Sequence, residues 1–495
     1  MRKATCGILP AALWAAALPL WGQPRESGED RLYRFLIEQN KAQLVMLSEE
    51  RLLDGGLVRR IARALEETDA ANRLPGGKRS YNYLDLEEQL VARAGAEASN
   101  IHLGRSRNDL GATSERMALR EETLELLSRL AGAREALITL AADHIHTVIP
   151  GFTHSVQAQP TTLAHYLAAF AASLERDEQR LRETYARLNL SPLGAAAFTT
   201  SGFPVNRRRL GELLGFPALV ENSYDAIMVS TVDSKAEVAA ALAVASLNVG
   251  RFAQQFLIQY SDSRPGLNLS DEAVGHSSIM PQKRNPAQAE RLRILASGVF
   301  GDANTVLLTA HNTPGGEAAD FRVPLLLRVE QVTRQASEML SLMAGFVKAV
   351  RVDPARTLAL VNEDYSVMTE FADALQREAG VPFRAGHKAA SDLAAYGRAA
   401  GKRPADLTVE EVRLAYRKST GAELPLNEEQ VRGALDAGRF VRSRRGAGGP
   451  QPEEMRRMLE AHRARLSSCR EWVGAERARL QAARAALEAA FLRLR

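Results

Sequence analysis

The apolar positions of this chain fall into long helical stripes. Leu163, Leu167, Phe170, Leu174, Leu181, Tyr185 and Leu188 recur at steps of three, four or seven residues. Val238, Leu242, Ala245, Val249, Phe252 and Phe256 follow a 4-3-4-3-4 rhythm, and Leu292 to Ala310 and Val329 to Phe346 do likewise. Such spacing places each set on one helix face, and seams of this kind pack helices nearly parallel in a bundle. Each segment of about 25 residues would span roughly 37 Å at 1.5 Å per residue. Alanines along these helices allow close approach and point to more than one buried face, hence to an oligomer.

Outside this block the pattern changes. From about Glu26 to Arg120 it is mixed helical and ends in a polar segment rich in Ser, Arg and Asn. Beyond Met368, shorter helices are punctuated by Gly380-Val381-Pro382, Gly401, Pro404 and a Gly-rich stretch ending at Pro450, before a last Arg-rich amphipathic helix from about Pro452. No strand alternation or internal repeat stands out. The expectation is an all-α chain with an N-terminal helical domain at 23–114, a long-helix bundle at 115–367 and a C-terminal helical domain at 368–495.

Composition agrees with that picture: 495 residues exceed one ordinary compact core, and 45% hydrophobic with 25% charged residues is usual for a soluble globular protein. A net charge of +5 suits a small anionic substrate, and no basic-aromatic module for nucleic acid is present. Residues 1–22 stand apart, with Arg2 and Lys3 preceding an apolar run from Cys6 to Trp21 that is short for a membrane span. This is the layout of a secretory signal peptide and predicts export, with no membrane attachment after its removal; the plainer reading is an uncleaved tail. With the leader removed only Cys469 remains, so no intrachain disulfide is expected.

Three polar clusters carry candidate chemistry. Gly275 to Pro286 crowds hydroxyls, Lys283, Arg284, Asn285 and two prolines between helix-like segments. Pro281 and Pro286 forbid a continuous helix, so the segment reads as an anion-facing loop in which Lys283 and backbone N–H groups could stabilise a Ser277 alkoxide. In Ile101 to Asp109, Arg105 and Arg107 have geometry suited to carboxylates, and a solvated turn with Asp109 capping the next helix is an equal alternative. In Gly151 to Pro160, His154 is either structural or a titrating group ahead of a long helix.

The loop Ser277-Ser278-Ile279-Met280-Pro281-Gln282-Lys283-Arg284-Asn285-Pro286 resembles the signature Gly-Ser-Ser-x-Met-Pro-x-Lys-x-Asn-Pro of the fumarase/aspartase superfamily, with His276 in place of the usual glycine. Gln282 and the Ser106-Arg107-Asn108 run are similar to the argininosuccinate lyase branch, with Leu103 where threonine is usual. Gly151 to Pro160 resembles that branch's Gly-Tyr-Thr-His-x-Gln-x-Ala-Gln-Pro, with Val156 replacing a glutamine. The resemblance covers nearly the whole chain after the first twenty-odd residues.

It implies a three-domain fumarase/aspartase-like fold around a long central bundle, in a cytoplasmic homotetramer whose active sites draw the clusters from three chains. It implies β-elimination of an N-substituted aspartate to fumarate and an amine, with Ser277 as base, Lys283 cradling charge, and His154 with Glu290 as acid or relay. Ser106, Arg107, Asn108, Thr153, Gln159, Ser278, Met280 and Asn285 are its substrate-binding positions. No metal or organic cofactor is implied. Two departures bear on the amine half. Ile227 to Thr231 stands where the family has Val-Ser-Asp-Arg-Asp, and His311 to Glu317 keeps just the asparagine of Tyr-Asn-Arg-Asp-Leu-Gln. Argininosuccinate lyase activity, a sister lyase for another N-substituted aspartate, and a catalytically silent structural protein are the three readings.

Overall fold

The computed structural model describes residues 28–314 and 318–495; the leader assigned to 1–22 and Gly315 to Glu317 lie outside the described residues. Helices α1 (Gly28–Glu49), α2 (Gly55–Arg73) and α3 (Tyr83–Ala94) form an N-terminal layer, followed by the 37-residue α4 (Arg107–Asp143). A hairpin of β1 (Val148–Thr153) and β2 (Val156–Thr162) leads into α5 (Leu163–Leu188) and short α6 (Arg207–Leu213). Then come α7 (Ser230–Tyr260), β3 (Leu267–Leu269), β4 (Gly275–His276), β5 (Arg284–Asn285), α8 (Ala287–Ala310), α9 (Ala318–Ala349) and β6 (Val350–Val352). The C-terminal part holds α10 (Pro354–Asn362), α11 (Met368–Ala379), α12 (Phe383–Ala399), α13 (Val409–Thr420), α14 (Glu428–Ala434), α15 (Ala437–Arg442) and the 41-residue α16 (Pro452–Leu492).

The four striped segments are α5, α7, α8 and α9, and their stripes are buried against one another and against α4. α4 carries no single stripe because it is buried on several faces, from Leu119 and Leu124 to Ala133 and Leu137. α16 runs back along α4, and its last turns insert Leu487 and Phe491 into the N-terminal core.

The bundle alternates in direction, which gives it two ends. At the first end the Arg116 guanidinium donates to the carbonyls of Leu188 at 2.8 Å and Ser230 at 3.1 Å, tying the start of α4 to the end of α5 and the start of α7. Beside it the Lys235 ammonium donates to Glu115 at 2.7 Å, both side chains buried. At the second end β3 pairs with β6, and β1 packs on α10.

α4 starts where it does because Ser106 and Asp109 form a capping box. Asp109 is fully buried and also accepts from the N–H groups of Gly194 at 3.0 Å and Ala196 at 3.1 Å, so one carboxylate pins the 192–196 loop to the helix start. Gly104 takes a left-handed φ of 66°, and a β-carbon there would collide with Val205. Burial raises the Asp109 carboxyl to about 6, against the lowering pull of its N–H donors and Arg105.

A second buried charge set joins α4, α5 and α16. Arg134, fully buried, pairs with Glu178 and, at 2.8 Å, with Glu175, which also meets the His462 ring at 3.0 Å and Arg465 at 2.5 Å.

Two outcomes follow. Arg134→Met removes the buried partner of Glu178, leaving it the more distant Arg182 at 3.6 Å, and should destabilise the protein by about 3–5 kcal/mol in urea unfolding; a loss under about 1 kcal/mol would show the pair to be dispensable. For Asp109 the folded value lies above the ordinary 3.8, so the stability carried by its protonated form is complete below that pH and lost as pH rises through about 6. Asp109→Asn should therefore flatten the stability profile between about pH 4 and 6, and an unchanged slope would contradict the assignment.

Candidate active site

At the first end of the bundle the Ser106 hydroxyl accepts from the Asn108 N–H at 3.2 Å, leaving Arg107 exposed and Asn108 half-buried on the first turn of α4. This is a helix N-terminus, where backbone N–H groups and the helix dipole favour anions. Arg105 does not share that role, contrary to the expectation from its spacing. It is buried, donates to Asn40 Oδ1 at 2.8 Å and lies over the Tyr83 ring. His102 stacks on the same ring at 4.1 Å, and burial, with the charges of Arg105 and Arg107, drives its pKa down to about 4. Arg105 is a packing post, and Arg107 is the arginine that faces outward.

The His154 segment is not a plain lead-in to a helix but the tip of the β1–β2 hairpin, where Thr153 pairs with Val156. His154 and Ser155 both have positive φ, 50° and 61°, the geometry of a type I′ turn. Neither is glycine or asparagine, so about 1–2 kcal/mol of backbone strain per residue is held at this tip. Gln157 anchors the hairpin by donating to Val361 O at 2.9 Å and Ser366 Oγ at 2.6 Å, and Gln159 donates to Thr369 at 3.3 Å. The strain and the anchors together hold Thr153 and His154 out into solvent.

The Gly275–Pro286 segment is a small ribbon. Gly275 pairs with Asn285 and His276 with Arg284, which presents 277–283 as a loop. His276 has ordinary extended backbone, so a β-carbon there is accommodated. Ser277 Oγ accepts from the N–H groups of Met280 at 3.1 Å and Ile279 at 3.4 Å. Two donors aimed at a serine oxygen favour its charged form. Ser278, Met280 and Lys283 are exposed, Asn285 is half-buried, and Ile279 is 82% exposed. Lys283 and Asn285 line a cavity of about 580 Å³ together with Asn268 and Arg356. Glu290 lies in the first turn of α8, exposed, at the same end.

Contacts from Arg284 to residues not singled out from sequence hold this ribbon down. Arg284 pairs with Asp271 at 2.6 Å and donates to Leu269 O at 2.8 Å, while the Tyr260 hydroxyl donates to Arg284 O at 3.0 Å. Arg284 sits inside the loop motif, but its partners lie 13, 15 and 24 residues away and carry no local signal.

One chain does not bring all these residues together. His154, Ser277, Lys283 and Glu290 belong to the second end, whereas Ser106, Arg107 and Asn108 belong to the first. The 37-residue α4 separates the ends by roughly 55 Å at 1.5 Å per residue. Among the described residues His154 and Glu290 share no hydrogen bond or ion pair. The amine-side departures fall at the first end: Asp225 to Val229 is a single π-turn opening α7, with Tyr224 and Val229 exposed, and His311 to Pro314 follows α8.

Comparison with known proteins bears on these clusters directly. Residues 78–301 match a lyase family model, and residues 365–442 match the argininosuccinate lyase C-terminal family. The argininosuccinate lyase of Methanosarcina barkeri is 38% identical over 387 residues, which is 78% of this chain and 77% of that protein. Argininosuccinate lyase 2 of Agrobacterium fabrum is 36% identical, covering 87% of this chain and 86% of its own. Among solved structures, EDDS lyase in complex with formate superposes with a TM-score of 0.85 at 30% identity, covering 94% of this chain and 92% of that one. A fumarate lyase from Mesorhizobium, at 19% identity and a TM-score of 0.69, shares the fold. The match takes in the Ser106–Asn108 helix start, the His154 hairpin and the Ser277 loop alike, and on that identity and coverage the chain belongs to the argininosuccinate lyase family.

Proposed function

We propose that the protein is a carbon–nitrogen lyase that eliminates an amine from an N-substituted aspartate and releases fumarate. The observation that carries this reading is the Ser277 hydroxyl, held by two backbone N–H donors in an exposed loop that also carries Lys283 and closes on Asn285. A serine is an ordinary alcohol until its alkoxide is stabilised, and donors placed in advance do so without reorganisation.

In the proposed mechanism Ser277 Oγ removes a proton from the succinyl carbon next to one carboxylate. The electron pair left behind spreads into that carboxylate as an aci-carboxylate, whose second negative charge Lys283 and Asn285 hold. Collapse of this species forms the carbon–carbon double bond of fumarate and breaks the bond from the other succinyl carbon to nitrogen. The nitrogen leaves with the bond electrons and takes a proton supplied through His154, with Glu290 as its partner. Ser106, Arg107 and Asn108, at a helix N-terminus, clamp the other carboxylate, and Thr153, Gln159, Ser278 and Met280 complete the contacts. Exposure of the loop in one chain suits a site that is closed by other subunits.

The site is completed by neighbouring chains in a homotetramer. Antiparallel packing of bundles sets the Arg107 end of one chain beside the Ser277 end of another, which the 37-residue α4 prevents within a single chain. Apolar side chains left exposed along the bundle, among them Ile258, Ile294 and Leu308, support such packing.

Argininosuccinate, giving arginine and fumarate, is the reference substrate. A sister lyase for another N-substituted aspartate is favoured by Ile227 to Thr231 and His311 to Pro314, where the arginine-side pattern is lost.

Ser277→Ala should abolish fumarate release while leaving the fold intact by circular dichroism. A loss smaller than about tenfold, below roughly 1.4 kcal/mol in the barrier, would remove Ser277 from the role of base. Arg107→Ala and Ser277→Ala should each be inactive alone, yet recover measurable fumarate production when co-expressed, because some mixed assemblies contain a site with neither substitution. No recovery from mixed oligomers verified by light scattering would contradict the shared site.

A further inference from the structure

The first end of the bundle carries a pocket that the elimination chemistry does not use. Its volume is about 360 Å³ and its walls are mainly Leu32 and Leu36 of α1, Leu110 of α4, and Leu326 and Leu327 of α9, with Tyr81, Asn82, Tyr83 and Ser114 adding uncharged polar groups and the exposed Arg107 on its rim. Its two carboxylates are engaged elsewhere: Glu115 takes the Lys235 ammonium at 2.7 Å and Glu330 takes Arg31 at 3.0 Å. A second apolar surface flanks the same helix start. Phe198, in the loop pinned by Asp109, packs edge-on to Tyr224 at 5.7 Å, the Ser223 hydroxyl bonds the Phe198 carbonyl, and Val229 is exposed on the π-turn that follows.

The carboxylate-clamping residues Ser106 to Asn108 therefore have aliphatic and aromatic surface on both sides. A charged group brought against such walls gives up hydration, and the Arg107 cation at the rim is taken by the succinyl carboxylate in the proposed mechanism, whereas apolar surface gains by leaving water. An amino-acid amine ends in an ammonium and a carboxylate that must both be met, and leucines meet neither. We infer that the amine half of the substrate is apolar: an N-alkyl- or N-arylalkyl-aspartate, with its hydrocarbon group in the pocket between α1, α4 and α9. The inference rests on the lyase reading above and specifies its substrate class.

The test measures fumarate formed by the purified full-length assembly from N-butylaspartate, N-benzylaspartate and argininosuccinate, together with the reverse addition of butylamine or benzylamine to fumarate. The expected result is a kcat/KM at least about tenfold higher for an apolar N-substituted aspartate than for argininosuccinate, a factor worth roughly 1.4 kcal/mol. Leu327→Glu, at an exposed wall position, should raise KM for that substrate at least about tenfold with a smaller change in kcat, the pattern of lost ground-state binding. Preference for argininosuccinate overturns the inference and leaves the lyase reading standing. An apolar preference that Leu327→Glu leaves untouched overturns the placement in this pocket. Fumarate from none of the three aspartates, with no reverse addition, overturns the lyase reading itself.

Discussion

A helix of 37 residues cannot place its two ends in one site. α4 begins at the Ser106 cap and finishes beside the strained His154 hairpin, and the antiparallel run of α5, α7, α8 and α9 keeps that separation throughout the bundle. Each end therefore holds a fragment of the proposed chemistry: Ser106, Arg107 and Asn108 at one, and Ser277, Lys283 and His154 at the other. The same rigidity that separates them in one chain gives each cluster a stable platform, since both are built on helix starts or on ribbons tied to helices rather than on long free loops.

The Ser277 ribbon shows how such a platform works. The Ser277 oxygen is met by local backbone donors, but the ribbon's position depends on Arg284, Asp271 and Tyr260, which fasten its base from three different elements. The loop tip is left exposed and the base is braced. In that arrangement the Ser277 hydroxyl keeps its local bonds to the Met280 and Ile279 N–H groups within the tip itself.

Buried charge is the second theme of the bundle. Arg134 with Glu178, Lys235 with Glu115, and Asp109 with its N–H donors sit among alanines and leucines, where apolar residues would pack without desolvation cost. Their directional bonds select one register of α4 against α5, α7 and α16. Helices lined by alanine can otherwise slide, because small side chains interlock weakly. In this fold the ion pairs near the first end also neutralise carboxylates close to Arg107.

The amino-acid pattern by itself determined the striped helices, because a 3.6-residue period is a local property and four segments repeat it cleanly. It also marked out the Gly275–Pro286 loop and the Ser-Arg-Asn helix start, whose residue types are contiguous. α4 escaped the stripe because burial on several faces erases the contrast between apolar and polar positions. The His154 hairpin escaped because its turn uses His and Ser at positive φ, without the glycine or asparagine that normally marks such a turn. Tertiary structure alone decided that Arg105 is buried while Arg107 is exposed, that Asp109 joins two distant segments, and that the three clusters divide between opposite ends. Those outcomes depend on contacts between residues far apart in the chain, and on the fixed rise of a helix, which turns 37 positions in sequence into a distance that one chain cannot close.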